Sequence, residues 1–152
     1  TGKSTPYFRM SAQSLESIHQ QSADTHRIWS AEEYHTLLND PFTVLVKNPH
    51  SFAIGRLVAG EGELLMIAVI KEKQGQGLGR RCLEEFEMAL SDKGADCCFL
   101  EVAKTNVRAQ QLYESSGFEC ISTRKAYYQI DKNNREDALI MQKVFTPSSL
   151  DS

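Results

Sequence analysis

LLMIAVIKEKQGQGLGRRCLEEFEMAL, residues 64–90, opens as a strand and closes as a helix. Residues 64–70 are apolar without a polar break and rich in Leu, Ile and Val, the pattern of a buried strand. Further on, Leu78, Cys82, Leu83, Phe86, Ala89 and Leu90 recur at helical spacing, and Lys93-Gly94 closes the helix. Gly75, Gly77 and Gly79 stand between the two patterns. Glycine costs roughly 0.5–1 kcal/mol inside a regular element, so the cluster marks a loop and suggests that its backbone has a task. A second apolar run, CCFLEVA at 97–103, follows the helix. A strand–helix–strand crossover makes the two strands parallel neighbours.

Outward from this unit, the pattern gives a short first strand over 7–10 and a helix over 12–24 with Leu15 and Ile18 inward. A second helix starts at Ser30-Ala31-Glu32-Glu33, a capping box. FTVLVK (42–47) and SFAIGRLVA (51–59) are strands separated by Asn48-Pro49-His50. Gly60-Glu61-Gly62 turns the chain into the 64–70 strand, which completes an antiparallel meander. A helix over 106–116 stops at Gly117, and strands over 118–130 and 138–145 flank the polar DKNNRED. The expected fold class is α/β. One domain over 1–146 has a mixed, mostly antiparallel sheet, a parallel central strand pair and about four flanking helices. A disordered tail over 147–152 is expected to follow.

A chain of 152 residues fits one domain with a self-sufficient core. A net charge of −3 argues against nucleic acid as a direct partner and weakly favours a cationic substrate. Cys82, Cys97, Cys98 and Cys120 form no C-x-x-C pair, so neither zinc nor a disulfide framework is expected. His19, His26, His35 and His50 lack metal-ligand spacing. There is no signal peptide, long apolar span or lipidation motif, so a cytoplasmic protein without membrane contact is expected. The chain opens on Thr1 rather than Met, which fits a processed or truncated product.

Backbone N–H groups where a strand gives way to a helix can hold an anion. Gly75-Gln76-Gly77-Leu78-Gly79 runs G-x-G-x-G and continues into Arg80, so it is not the dinucleotide fingerprint G-x-G-x-x-G. No Lys-Ser/Thr follows for a P-loop, and the GKST at residues 2–5 has no preceding strand. A connector without a ligand remains the plain alternative. Gln74-x-x-Gly77-x-Gly79 does fit Q/R-x-x-G-x-G/A, and here the sequence resembles the GCN5-related N-acetyltransferases (GNAT). Downstream, FLEVAKTN (99–106) and RAQQLYESSGF (108–118) give L-E-V-x-x-x-N-x-x-A-x-x-L-Y-E-x-x-G-F. That pattern resembles the ribosomal-protein-alanine N-acetyltransferases of the RimI type. RKAYY (124–128), NREDALIM (134–141) and WSAEEY (29–34) extend the likeness.

The resemblance implies acetyl transfer from acetyl-CoA to an amine, with no metal. Gln74, Gly75, Gln76, Gly77, Leu78, Gly79 and Arg80 would cradle the CoA pyrophosphate. Ile67, Ala68 and Val69 would offer backbone groups to the pantetheine arm, which Asn106 would also contact, and the Val69 N–H would polarise the thioester carbonyl. Glu101 would be the proton acceptor and Tyr113 the proton donor to the departing thiolate. Strand alternation puts Phe99 and Glu101 opposite Cys98, Leu100 and Val102. On residue type alone, Glu101 reads first as a solvent-facing strand residue and Tyr113 as a core aromatic; the resemblance is what turns both readings toward catalysis. Tyr127 and Tyr128 resemble a clamp for a peptide end. Glu136-Asp137 is either a draw for basic substrate residues or a solvated turn.

Three positions depart from the family pattern. Gly75 stands where a cation is common, Ile70-Lys71 replaces an Asp-Pro pair, and His19 stands where relatives often place a carboxylate. The expected activity is acetylation of a protein N-terminal amine, with the alanine terminus of a basic small-subunit ribosomal protein as substrate. The alternatives are acetylation of lysine or a small amine, and a non-catalytic acyl-CoA-binding module.

Overall fold

The computed structural model describes residues 6–22, 30–129, 132 and 134–145, with the side chains of 6–11, 128 and 129 excepted. The tail expected over 147–152 lies outside the described residues. Helix α1 (Pro6–Gln20) takes in residues 7–10, which are therefore helical and not a first strand. Proline is pre-organised for the first helical position, where its missing N–H costs nothing. The helix also ends earlier than residue 24, because Ser22 leaves it to form an antiparallel bridge with Ile70. Helix α2 (Ala31–Leu38) starts at the predicted capping box: Ser30 Oγ accepts from the Glu33 N–H, and the Glu33 carboxylate accepts from the Ser30 N–H, both at 3.2 Å.

The sheet comprises β1 (Thr43–Asn48), β2 (Ser51–Val58), β3 (Glu61–Val69), β4 (Cys97–Ala103), β5 (Glu119–Gln129) and β6 (Arg135–Val144). Its order is β1-β2-β3-β4-β6-β5, so β6 inserts between β4 and β5. The β1-β2-β3 meander is antiparallel, and the crossover through α3 (Leu78–Asp92) makes β3 and β4 parallel. A single 3₁₀ turn, Lys71–Lys73, leads out of β3, and α4 (Val107–Ser115) joins β4 to β5.

Two cores hold the layers together. On one face, Leu83, Phe86 and Leu90 of α3 and Tyr113 of α4 pack on Ala53, Leu64, Cys98, Leu100 and Val102. On the other, Ala12, Leu15 and Ile18 of α1 and Tyr34 of α2 pack on Phe52, Ile54 and Ala68. His19 belongs to this second core. It is fully buried, and the Tyr34 hydroxyl lies 2.8 Å from its Nδ1, so it packs the interior. All four cysteines are free thiols. Burial pushes the Cys98 thiol up to about 12, which keeps it protonated and unreactive near neutral pH.

Candidate active site

β3 and β4 pair only from Glu61↔Cys97 to Leu64↔Leu100, and beyond that point they part. The cause lies on the other side of β3. Its register with β2 runs Gly55↔Leu64 and then Ile54↔Met66, leaving Leu65 as an extra residue. Such a bulge bends its strand and increases the local twist, here where the parallel ladder ends. Backbone groups of β3 that would have continued the ladder toward β4 open instead onto a cleft of about 740 Å³. Glu101 is the first β4 residue past the fork, and its backbone pairs only on the β6 side, with Ile140.

The glycine loop forms the far wall. Gly75 and Gly77 have φ of 78° and 82°, and nothing lies within 4 Å of where a Cβ would stand on either. These glycines are needed for the left-handed turn, and the concavity they leave is open. Gly77 is the N-cap of α3 and provides no side-chain cap, so the first N–H groups of the helix face the cleft without an intrahelical partner. Gln74 ties the loop to the strand, its Nε2 donating to the Val69 carbonyl at 3.0 Å. Arg108 Nη1 donates to Gln74 Oε1 at 2.9 Å, and Arg80 donates to the hydroxyls of Ser115 and Ser116. The cleft therefore has two cations at its rim, an uncapped helix N-terminus and apolar walls. These features fit a long ligand with phosphates at one end.

Two ionisable groups stand on opposite faces of this fork. Tyr113 is nearly buried on the α3/α4 side, edge-on to Phe118 at 6.0 Å between ring centroids. Glu101 alternates with buried Leu100 and Val102, so it points to the other face, half-buried. Its Oε1 lies 3.1 Å from Nη1 of Arg124 on β5. Asn106 is the N-cap of α4: its Oδ1 accepts from the Ala109 N–H at 3.3 Å, and the residue lines the cleft.

The model of the acetyltransferase (GNAT) family matches residues 10–118, well over half of the chain. The chain belongs to the GNAT family. Over 91 residues it is 43% identical to the ribosomal protein bS18-alanine N-acetyltransferase of Escherichia coli K12, covering 60% of this chain and 61% of that protein. The protein of the same name from Haemophilus ducreyi is 37% identical over 91 residues, 60% of this chain and 63% of its own. The chain thus spans about three fifths of the length of these curated relatives. The crystal structure of the ribosomal-protein-S18-alanine N-acetyltransferase from Escherichia coli superposes with a TM-score of 0.80 and 30% identity, covering 91% of this chain and 90% of that one.

Within this GNAT domain, Ile67, Ala68, Val69, Gln74, Gly75, Gly77, Leu78, Gly79, Arg80, Asn106 and Tyr113 all wall the one cleft. Gln76 is exposed and does not line it. Glu101 and Tyr127 are also absent from its walls; Arg124 links them, with its guanidinium 5.2 Å from the Tyr127 ring centroid. The Tyr128 backbone pairs with Glu136, and its side chain lies outside the described residues. Asn106, seven residues before Tyr113, caps α4 and is not part of the helix, yet both residues face the cleft. Glu136-Asp137 is neither a solvated turn nor a free acidic tract. Glu136 is buried and accepts from Thr105 Oγ1 at 2.7 Å, and Asp137 Oδ1 accepts from the Ala126 N–H at 2.9 Å. Lys71 donates its N–H to the Gln21 carbonyl at 2.8 Å, a bond that the proline common at this position cannot make.

Sequence reasoning missed Arg108 and Arg124. Arg108 had a signal: a cation in the first turn of a helix opposes the macrodipole, which points to a role beyond the helix itself. Arg124 lay in plain view within RKAYY, but its link to Glu101 spans two strands that are not sequence neighbours.

Proposed function

We propose that this chain transfers the acetyl group of acetyl-CoA to the α-amino group of a protein N-terminus, with the alanine terminus of a basic small-subunit ribosomal protein as its substrate. The observation that carries the reading is the fork itself, with Glu101 just past its apex on one face and Tyr113 on the other. Acyl transfer needs a base on the side where the amine enters and an acid on the side where the thiolate leaves. Bound in the cleft, acetyl-CoA supplies the activated thioester. Gly77, the α3 N-terminus, Arg80 and Arg108 would hold its phosphates, and Asn106 and the open edge of β3 its arm. The Val69 N–H is our candidate for polarising the acyl carbonyl.

An α-amine has a pKa of about 7.7–8.0 against about 10.4 for lysine, so roughly a tenth of it is free base at pH 7. Glu101, a single carboxylate, suits that amine better than a lysine. Tyr127, exposed and 5.2 Å from the Arg124 guanidinium that pairs with Glu101, would meet an incoming peptide in this reading. The names of the relatives in Escherichia coli and Haemophilus ducreyi support the alanine-terminal substrate. The cytoplasmic setting is part of the same proposal. Among the described residues, no helix is long and apolar enough to cross a membrane.

Matched peptides beginning with Ala, Ser, Met or Leu, and an acetyl-capped peptide carrying one lysine, test the substrate by mass spectrometry after incubation with acetyl-CoA. Preferred turnover of the Ala peptide is expected. Activity on the capped lysine peptide alone would move the chain to side-chain acetylation, and acetyl-CoA binding without any turnover would make it a binding module. The cofactor assignment has its own test. Gly77→Val places a β-branched residue at φ 82°, a conformation such residues rarely adopt. It is expected to weaken acetyl-CoA binding about tenfold or more, the loss of one hydrogen bond to a charged group (about 1.5–3 kcal/mol), while the fold persists. Unchanged affinity by calorimetry in a folded variant would reject the cradle.

A further inference from the structure

Arg124 sits on the edge strand, with β6 between it and β4. Register nonetheless brings it to Glu101. Glu101 pairs with Ile140, which pairs with Ser122, while Ala103, Ala138 and Arg124 form the next line on the same face. Ala138 is fully buried and small, so the arginine side chain can cross β6 there and place Nη1 3.1 Å from Glu101 Oε1.

A second contact fixes the guanidinium from behind. β5 changes register between Arg124 and Tyr128, and within that bulge Ala126 has φ 51°. L-residues other than Asn and Asp rarely adopt this left-handed conformation. The bond from the Ala126 N–H to Asp137 Oδ1 holds it, and the result sets the Tyr127 ring 5.2 Å from the Arg124 guanidinium. The arginine side chain is 53% exposed and that of Glu101 25%. Pairs this open contribute little to folding, so stability does not explain an arrangement with this much built into it.

We propose that Arg124 is a positioning residue for proton transfer, resting on the assignment of Glu101 as the base. Pairing through one oxygen narrows the orientations open to the carboxylate and leaves the other oxygen for the amine. With Oε1 engaged by Arg124, Oε2 is the atom that accepts the proton: an ammonium N–H bond breaks and an O–H bond forms on Glu101, while the nitrogen keeps the electron pair for attack. Arg124 acts on the reaction only through the geometry of this carboxylate.

Four variants test this with a saturating Ala-terminal peptide: R124Q, R124K, E101Q and the double variant E101Q/R124Q. R124Q is expected to lower kcat roughly 10- to 100-fold, the scale of a misplaced catalytic group, with acetyl-CoA KM and melting temperature unchanged. R124K restores part of the loss, because a point charge pairs without the fork. In the E101Q background, adding R124Q costs nothing further, since the two residues act as one unit. Full kcat in R124Q overturns the positioning role alone. Additive losses in the double variant overturn it as well and place Arg124 on the substrate. Full activity of E101Q overturns the base assignment and this role together.

Discussion

Glu101→Gln is expected to lower turnover by roughly 10²–10⁴-fold near pH 7, the range for loss of a general base. Glutamine keeps the shape of the side chain, but it carries no charge to pair with Arg124 and cannot take a proton at that pH. The remaining rate then depends on amine that is already free base. That fraction rises from roughly a tenth at pH 7 to about nine-tenths at pH 9 for a pKa of about 7.7–8.0. The variant should therefore recover part of its deficit as pH rises, in proportion to the free amine. Stability should change little, because a solvent-accessible ion pair of this kind contributes only about 0–1 kcal/mol. Initial rates of thiol release from pH 6 to 9, beside a melting curve, check both statements. Full activity of the variant across that range would remove Glu101 from the mechanism.

Much of this site was legible because its parts are local in sequence. Strand alternation put Glu101 opposite Leu100 and Val102, and the structure keeps that division. The glycine loop lies between a strand and a helix, where the pattern of residues 64–90 set it. Long-range placement was harder. That β6 lies between β4 and β5 is a property of pairing across the chain, and it alone brings Arg124 to Glu101. Residues 7–10 look strand-like as an isolated run, yet they join α1 because the helix that buries Ala12, Leu15 and Ile18 extends back to Pro6. Packing of an amphipathic face overrides short local preference. Glu136 and Asp137 read as a solvated turn or an acidic draw for substrate, but they lie on β6 and accept from Thr105 Oγ1 and the Ala126 N–H.

Least legible was the fork. A glycine ten residues before Leu65, on a different strand, makes it possible. At Gly55 a Cβ would fall well inside van der Waals contact with the Glu63 carbonyl oxygen and 2.5 Å from Phe86 Cζ. The close approach occurs at the register shift where Leu65 bulges from the β2–β3 ladder. Gly55→Ala is therefore expected to cost about 3 kcal/mol, the upper part of the range for overpacking. For a domain of this size that corresponds to a fall in Tm of about 6–12 °C. Gly62→Ala is the control. Its nearest obstacles are the flexible methyl ends of Leu90, at 2.6 and 3.0 Å, with the Cys97 carbonyl at 3.2 Å. Leu90 can give way where the Glu63 backbone cannot, so the control should lose less. The two glycines should also differ in function. Forcing β2 from β3 at the bulge alters the angle at which β3 leaves β4, and the cleft with it. Gly55→Ala should weaken acetyl-CoA binding even at a temperature where the protein is fully folded, whereas Gly62→Ala, inside the paired stretch, should not. Equal Tm losses in the two variants, or unchanged affinity in folded Gly55→Ala, would mean that something other than this glycine holds the fork open.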